Sequence, residues 1–313
     1  MYSLVIPVFK NEASILELLR ALADLNESLA RGLEVVFVVD GSPDRCAELL
    51  EAELPRQAFR SKLVLLSRNF GAFAALRAGL AEAQGPWFAV MAADLQEPPE
   101  LVLAFFRTLE KEPVDVVIGT RTTRGDPALS RWSSRLFWFA YRKLVQPEMP
   151  PGGVDVFGCN QAFRDHLLAL RESNSTLVGL LFWLGFRRKL FPYERRARRH
   201  GQSAWTLARR LRYLSDSVFA FSDLPVRWLV GVGTVGLVFS VGFAILVVVA
   251  RLSGWIPVPG YAGTVLLITF FAALNSFGLG VIGSYLWRAF ENTKGRPQSI
   301  VRWRSGFDGQ RRE

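Results

Sequence analysis

Asp94 and Gln96 are the first candidates for chemistry in this chain. They follow the apolar run Trp87 to Val90, whose length and aromatic content are typical of a buried strand. Open α/β sheets bind ligands at the carboxyl ends of their strands. Carboxylate and amide oxygens suit a hard divalent cation, and such a cation usually brings phosphates with it. Residues 91–100 are equally compatible with a solvated turn after a strand.

Asp40 and Arg68 lie just after two other apolar runs, as Asp94 lies after the run that ends at Val90. Asp40 ends the run at residues 34–39, which is typical of a strand covered on both faces. Its carboxylate could accept hydrogen bonds from a base or a ribose, or it could form an Asx-turn or a helix cap. Arg68 follows residues 63–66 and could face a diphosphate or be solvated in a surface turn.

These side chains need parallel strands to bring them to one edge of a sheet. Between the apolar runs lie segments with helical spacing, such as the apolar positions from Ile15 to Leu25. The order strand, helix, strand, helix predicts right-handed βαβ units. The fold class that we expect is therefore α/β, Rossmann-like, with a mostly parallel sheet.

The composition is unusual for a soluble enzyme. Of 313 residues half are hydrophobic, yet 38 Lys and Arg against 28 Asp and Glu give a net charge of +10. Much of the surplus lies in residues 187–212, directly before the most apolar part of the chain. This position favours anionic lipid over nucleic acid as the partner of the basic segment.

The chain contains two cysteines and two histidines. The cysteines have no metal-ligand spacing and predict free thiols in a reducing compartment. So few histidines argue against a histidine-based site. We see no signal peptide.

The C-terminal third predicts a membrane anchor. Residues 228–250 and 252–287 contain no charged residue, and Gly and Pro at 254–260 divide them. About 20 apolar residues span the hydrocarbon of a bilayer. We therefore predict a catalytic domain at residues 1–203, followed by an interfacial amphipathic helix, two transmembrane helices and a basic cytoplasmic tail. Their boundaries are 204–225, 226–252, 261–288 and 289–313.

Charge around the two spans predicts their orientation. The turn between them carries only Arg251, whereas both flanks are basic, so the positive-inside rule places both termini and the catalytic domain on the cytoplasmic side of the inner membrane. Gly278, Gly280 and Gly283 permit close helix packing and favour a homo-oligomer.

Four short segments occur in one order at compatible spacings. They are Ile-Pro-Val-Phe at 6–9, Asp-Gly-Ser-Pro-Asp at 40–44, Ser-Arg-Asn-Phe-Gly at 67–71, and Asp-Leu-Gln-Glu-Pro-Pro-Glu at 94–100. With them the chain resembles the inverting GT-A glycosyltransferases of family 2. It most resembles the branch of dolichol-phosphate-mannose-synthase-like and bacteriophage-type polyprenyl-phosphate glycosyltransferases. The resemblance covers essentially the whole chain, including the membrane hairpin, and implies a GT-A catalytic domain.

The resemblance implies roles on the donor side. Asp40 would hold the nucleobase of a nucleotide sugar, expected to be a UDP-sugar, and residues 7–12 would line the same pocket. Asp94 and Gln96 would bind Mg2+ or Mn2+ bridging the donor diphosphate, because a divalent ion neutralises the departing nucleoside diphosphate. The predicted donor-binding residues are Pro7, Val8, Phe9, Glu12, Asp40, Arg68, Gly71 and Ala93.

The resemblance also implies roles on the acceptor side. Asp155 would face the reaction centre and, with Asp94, is the predicted catalytic residue. A lipid phosphate has a second pKa of about 6 and is already largely ionised near neutral pH. Asp155 is therefore expected to orient the nucleophile more than deprotonate it. The Arg-rich residues 193–205 resemble the family's loop over the diphosphate. The predicted acceptor- and diphosphate-binding residues are Arg121, Arg131, Ser134, Arg195, Arg198 and Ser203.

The predicted function is inverting transfer of one sugar to polyprenyl (undecaprenyl-type) phosphate. Some positions depart from the family pattern: Val39 and Ala92 stand where acids are common, and Phe157 stands where arginine is common. These departures support one alternative, a non-catalytic membrane scaffold on a degenerate transferase fold. A second alternative is a processive polysaccharide synthase, but the chain has no Gln-x-x-Arg-Trp motif and only two predicted spans.

Overall fold

The structure is a computed structural model. The residues that it describes are 1–121, 139, 142–143, 147–150, 154–172, 175–196, 215–253 and 260–309.

A mixed sheet forms the centre of the molecule. The eight strands found among the described residues have the order β7-β5-β6-β4-β1-β2-β3-β8. All neighbouring pairs from β4 to β3 are parallel, as is the pair β5–β7, while β6 and β8 run antiparallel to their neighbours. In chain order the strands are β1 Tyr2–Val8, β2 Leu33–Val39, β3 Arg60–Leu66, β4 Trp87–Val90, β5 Val116–Arg121, β6 Val154–Asn160, β7 Arg188–Tyr193 and β8 Val301–Phe307. The predicted α/β fold with a mostly parallel sheet is confirmed.

Helices cover both faces of this sheet. Those in the described residues are α1 Ile15–Glu27, α2 Cys46–Glu53, α3 Ala72–Glu82, α4 Pro99–Lys111, α5 Gln161–Ala169, α6 Leu177–Trp183, α7 Ser215–Phe221, α8 Leu224–Leu252 and α9 Tyr261–Thr293. Apolar side chains of α1, α2 and α4 form one core with one face of the sheet. Those of α3, α5 and α6 form a second core on the other face. This burial on both sides explains why β2 is apolar and buried along its whole length.

Close packing of α3 on the sheet depends on a glycine. A Cβ at Gly79 would lie 2.3 Å from Cγ1 of Val5 and 2.9 Å from Cγ2 of Val38. Only glycine therefore lets α3 approach β1 and β2 this closely. The same approach brings the N-terminus of α3 to the carboxyl ends of these strands, where the candidate site lies.

The C-terminal segment belongs to the central sheet. The sequence predicts a basic tail at residues 289–313, outside the domain of residues 1–203. In the structure β8 pairs antiparallel with β3 over residues 301–307, so this part of the predicted tail is an edge strand. Its alternating exposed residues and basic side chains suit an edge strand.

The two long C-terminal helices pack against each other. Trp228 and Phe277 approach to 6.1 Å between ring centroids, and a Cβ at Gly278 would lie 3.3 Å from Cδ1 of Leu229. Within the described residues Phe270–Thr293 is one stretch long and apolar enough to cross a membrane, with mean hydropathy 1.3. A second stretch would result if α7 and the first part of α8, which are bent by 82° at their junction, counted as one span.

α7 also contacts the catalytic domain. Its residues Val218 and Phe221 pack against the core formed with α3, α5 and α6. A Cβ at Gly179 of α6 would lie 2.2 Å from the Phe221 ring. The Phe221 ring therefore packs directly against Gly179, where a larger residue would collide with it.

Candidate active site

Asp40 and Asp94 emerge at the same edge of the sheet. Asp40 follows β2 and Asp94 lies four residues after β4, and β1 is the strand between β2 and β4. The backbone N–H of Asp40 donates to the carbonyl of Val8, and that of Met91 donates to the carbonyl of Val5. The two predicted anchor positions of the donor thus lie on either side of the end of β1.

The Asp40 carboxylate holds the loop that precedes α3. It is 3% exposed, and its two oxygens accept hydrogen bonds from the backbone N–H groups of Phe70 at 2.7 Å and Gly71 at 2.9 Å. Both N–H groups precede the first residue of α3, so the carboxylate braces the loop that leads into this helix. This contact with a loop 30 residues later in the chain was not among the roles that the sequence left open.

The loop at Arg68 packs tightly on the turn after Asp40. Gly41 has φ +58°, and a Cβ there would lie 2.3 Å from the carbonyl carbon of Arg68. The Arg68 side chain is exposed and lies over the ring of Phe70, 4.1 Å from its centroid. Its guanidinium is thus at the surface of the predicted donor pocket.

The loop after β1 is fixed by hydrogen bonds to the turn after β2. Pro7 and Val8 are the last residues of β1, and the Phe9 ring is partly exposed. The Lys10 N–H donates to Oγ of Ser42 at 2.7 Å. The carboxylate of Glu12 accepts a hydrogen bond from the backbone N–H of Arg45 at 3.1 Å, so in the structure Glu12 braces this loop.

Ala93 links the same loop to the Asp94 segment. Its carbonyl accepts a hydrogen bond from the hydroxyl of Ser14 at 3.0 Å. Two residues after Ala93, Leu95 adopts φ +53°, a left-handed conformation that is uncommon for a residue with a side chain. Such local strain is found most often at functional sites, where surrounding contacts impose it.

Gln96 connects the Asp94 segment with the Arg-rich segment. Its Oε1 accepts a hydrogen bond from Arg195 at 2.6 Å, and its Nε2 donates to the carbonyl of Arg196 at 3.2 Å. The Arg196 N–H donates back to the Gln96 carbonyl at 2.9 Å. The structure therefore brings Arg195 to Gln96, two residues from Asp94, although 99 residues separate them in sequence.

Glu97 and Tyr193 are buried beside this junction, and neither is among the predicted site residues; for Glu97 the sequence left open compensation for the carboxylate missing at Ala92 or capping of the next helix. Glu97 is 1% exposed, and Arg195 Nε lies 3.8 Å from its Oε1. Burial raises the pKa of the Glu97 carboxyl, the charge of Arg195 lowers it, and that of Asp94 raises it. Burial also raises the pKa of Tyr193, whose hydroxyl is hydrogen-bonded to Arg121. The parallel pairing of β7 with β5, which ends in Arg121, is the signal that would have identified Tyr193.

The structure does not describe five of the predicted site residues or their side chains. Arg131, Ser134, Arg198 and Ser203 lie outside the described residues. Asp155 belongs to β6, but its side chain lies outside the described part of the chain.

The oxygen ligands available near Asp94 fit a divalent cation whose remaining ligands come from water and substrate. No group of three His, Cys, Asp or Glu side chains able to hold a metal occurs within the described ranges. Asp94 offers a half-buried carboxylate, and Oε2 of buried Glu97 has no hydrogen-bond partner among the described residues. Mg2+ is commonly held by one or two carboxylates, with water and substrate phosphates as its remaining ligands. The side-chain amide oxygen of Gln96 accepts a hydrogen bond from Arg195.

Known proteins resemble this chain along most of its length. The model of the family described as Glycosyl transferase family 2 matches residues 3–170. A Pseudomonas paraeruginosa protein named undecaprenyl-phosphate 4-deoxy-4-formamido-L-arabinose transferase is 34% identical over 310 residues, covering 96% of this chain and 89% of that protein. An uncharacterized glycosyltransferase of Synechocystis sp. is 30% identical over 300 residues, covering 96% and 94%.

Solved structures resemble it more distantly. The crystal structure of glucosyl-3-phosphoglycerate synthase from Mycobacterium tuberculosis, in complex with Mn2+, UDP and glucosyl-3-phosphoglycerate, is 19% identical in sequence. The similarity covers 70% of this chain and 77% of that chain, with a TM-score of 0.44.

Proposed function

Since this chain belongs to glycosyl transferase family 2, in the branch that acts on polyprenyl phosphate, we propose that it moves one sugar from a UDP-sugar to polyprenyl phosphate with inversion at the anomeric carbon. The observation that carries the proposal is the contact of Arg195 with Gln96, which joins the metal motif to the Arg-rich segment. A donor diphosphate beside Asp94 and a lipid phosphate beside the arginines would then meet in one place.

The donor is bound at the edge between Asp40 and Asp94. A carboxylate has about four acceptor positions, of which the backbone of Phe70 and Gly71 takes two at Asp40. The others are available to a nucleobase. Residues 7–12, which the turn after β2 holds in place, form the opposite wall, and Arg68 faces the ribose or the diphosphate.

Asp94 holds the divalent cation, Mg2+ or Mn2+, together with oxygens of the donor. When bound, this ion stabilises the negative charge that develops on the departing diphosphate. Gln96 is the second proposed ligand. Its amide oxygen has a second acceptor position beside the hydrogen bond that it accepts from Arg195, so it can bind the cation while that hydrogen bond remains.

The acceptor phosphate is bound by arginines. Arg195 and Arg121 flank Tyr193 at the same end of the sheet, and a guanidinium fork matches the geometry of phosphate oxygens. Asp155 orients the acceptor oxygen for in-line attack on the anomeric carbon. The sequence pattern adds Arg131, Ser134, Arg198 and Ser203 to this side.

The enzyme acts at the cytoplasmic leaflet of the inner membrane. α8 and α9 form the proposed transmembrane hairpin, and the contacts between them together with the apolar stretch Phe270–Thr293 support it. The charge distribution around them favours a cytoplasmic catalytic domain, with both termini on the same side. The glycine series of α9 favours a homo-oligomer.

A transfer assay tests this function. Purified full-length protein receives radiolabelled nucleotide sugars, short polyprenyl phosphate and Mn2+. We expect organic-soluble label that carries a single sugar, lost in Asp94→Ala and retained in Asp24→Ala, which changes an exposed acid of α1. No product with any common donor would favour the scaffold hypothesis, and a product with many sugars would favour a processive synthase.

A further inference from the structure

A polar hollow lies between α7 and α9, apart from the candidate active site. Its volume is about 400 Å3, within the size range of sites that hold drug-sized ligands. It is lined by Asp216, Gly280, Gly283, Ser284, Trp287 and Arg288. None of these residues belongs to the proposed donor, cation or acceptor sites.

One acid and one base face each other in the hollow. Arg288 Nη2 donates a hydrogen bond to Oδ1 of Asp216 at 2.8 Å, and the side chains are 19% and 37% exposed. The Arg288 guanidinium also lies over the ring of Phe219, 5.1 Å from its centroid. Both charges are therefore held in fixed positions and remain partly open to the hollow.

The helices around the hollow contain polar atoms that lack partners. Nη1 of Arg288, Oγ of Ser217 and the hydroxyl of Tyr285 are buried and have no hydrogen-bond partner in the part of the chain that the structure describes. Buried polar groups in native proteins are nearly always hydrogen-bonded. Of these three residues only Arg288 lines the hollow, so its unpartnered Nη1 is the atom that indicates a polar ligand there.

The position of the hollow identifies the source of that ligand. Arg288 lies near the C-terminal end of the apolar stretch Phe270–Thr293, and α7 directly precedes the bend into α8. If the helices cross the membrane as proposed above, this level corresponds to the lipid head groups. Gly280, Gly283 and Trp287 are exposed, so the hollow opens sideways toward the bilayer. Tryptophan is enriched at this level of a membrane.

We propose that the hollow binds a zwitterionic aminophospholipid through its phosphoethanolamine head group. The lipid phosphate would accept hydrogen bonds from Arg288, and the lipid ammonium would pair with Asp216. The bare surface at Gly280 and Gly283 leaves room for the glycerol and the first part of an acyl chain. An anionic head group fits less well, since Asp216 repels it and sites for anionic lipids are built from several cations. The dianionic acceptor lipid is disfavoured for the same reason.

Two kinds of variant test the site. Gly283→Leu fills the hollow without removing a charge, and a Cβ at this position meets no atom within 4 Å, so the helix tolerates it. Gly263→Leu is the matched control, because its Cβ likewise meets nothing within 4 Å elsewhere on α9. Asp216→Asn removes the partner of the ammonium group.

Lipid binding is measured by native mass spectrometry of the full chain in detergent. Phosphatidylethanolamine, phosphatidylglycerol, short polyprenyl phosphate and free phosphoethanolamine are added separately at equal concentration. We expect retention of phosphatidylethanolamine above the others, reduced about tenfold in Gly283→Leu because the leucine side chain occupies the space of the lipid, and unchanged in Gly263→Leu. Asp216→Asn is expected to abolish the preference over phosphatidylglycerol.

Several results would overturn the proposal. Equal retention by Gly283→Leu and Gly263→Leu would mean that lipid binds elsewhere. Equal retention of phosphatidylglycerol or polyprenyl phosphate by the unmodified chain would rule out recognition of the ammonium group. Equal retention of free phosphoethanolamine would show that no lipid is needed. If Gly283→Leu lowers the number of subunits in the complex but retains the lipid, the hollow is a contact surface for a second copy of the chain.

Discussion

Replacing Asp40 by asparagine separates its structural role from its proposed role in donor binding. In the structure both carboxylate oxygens accept hydrogen bonds from backbone N–H groups, at Phe70 and Gly71, directly before α3. Asparagine has the same shape but a single acceptor oxygen. Its NH2 group would face one of the two N–H donors and leave that donor without an acceptor.

The cost follows from the two hydrogen bonds. A hydrogen bond to a charged group contributes about 1.5–3 kcal/mol, and a neutral one about 0.5–1.5 kcal/mol. Asp40→Asn loses one charged bond and converts the other to a neutral one, so we expect a loss of about 3 kcal/mol in the free energy of unfolding. In a domain of about 200 residues each kcal/mol lowers Tm by about 2–4 °C, which predicts a decrease of roughly 6–12 °C.

Thermal unfolding and UDP binding of the same proteins test this reasoning. Tryptophan fluorescence gives Tm for the unmodified chain, for Asp40→Asn and for Asp24→Asn, whose exposed side chain makes the last variant the control. Equilibrium dialysis with UDP is done well below the lower Tm. We expect Asp40→Asn to lower both Tm and UDP affinity. A Tm equal to that of the control would refute the proposed brace, and a lower Tm with unchanged UDP affinity would limit Asp40 to bracing the loop before α3.

Three further outcomes are expected. Gly179→Val should displace the Phe221 ring, which lies 2.2 Å from the position of the new Cβ, and should lower transfer to the lipid at least tenfold while UDP binding in dialysis stays the same. Chelation should abolish transfer and added Mn2+ restore it, and Asp94→Asn should need a higher Mn2+ concentration for half-maximal rate. Hydrogen bonds from Arg187 hold the pKa of Asp115 below its usual value, so its contribution to stability is present above about pH 4 and is lost as the pH falls further. The Tm difference between the unmodified chain and Asp115→Asn should therefore shrink between pH 5 and pH 3.

Apolar patterning made the centre of the sheet predictable. β1, β2 and β4 are buried on both faces, so their sequences are nearly continuous apolar runs. β7 and β8 were not predicted, because they lie at the two edges of the sheet and are not continuous apolar runs: β7 begins with two basic residues, and β8 contains two exposed arginines. Nothing local marks β8 as a strand: its partner β3 lies more than 200 residues earlier in the chain.

The site was predictable as far as sheet topology determines it. The carboxyl ends of parallel strands meet at one edge, so the neighbourhood of Asp40 and Asp94 followed from the order of strands and helices. The hydrogen-bond partner of each side chain did not follow from the sheet topology. The two backbone bonds of Asp40 and the hydrogen bond between Gln96 and Arg195 depend on loops distant in sequence, and only their packing decides which partner each group takes.

The position of β8 in the sheet has a consequence for biosynthesis. A ribosome completes α8 and α9 before it reaches residues 301–307, so β3 has an open edge for as long as these two helices are being made. The final strand closes that edge only afterwards. The sheet thus acquires the partner of its β3 edge only once both α8 and α9 have been translated.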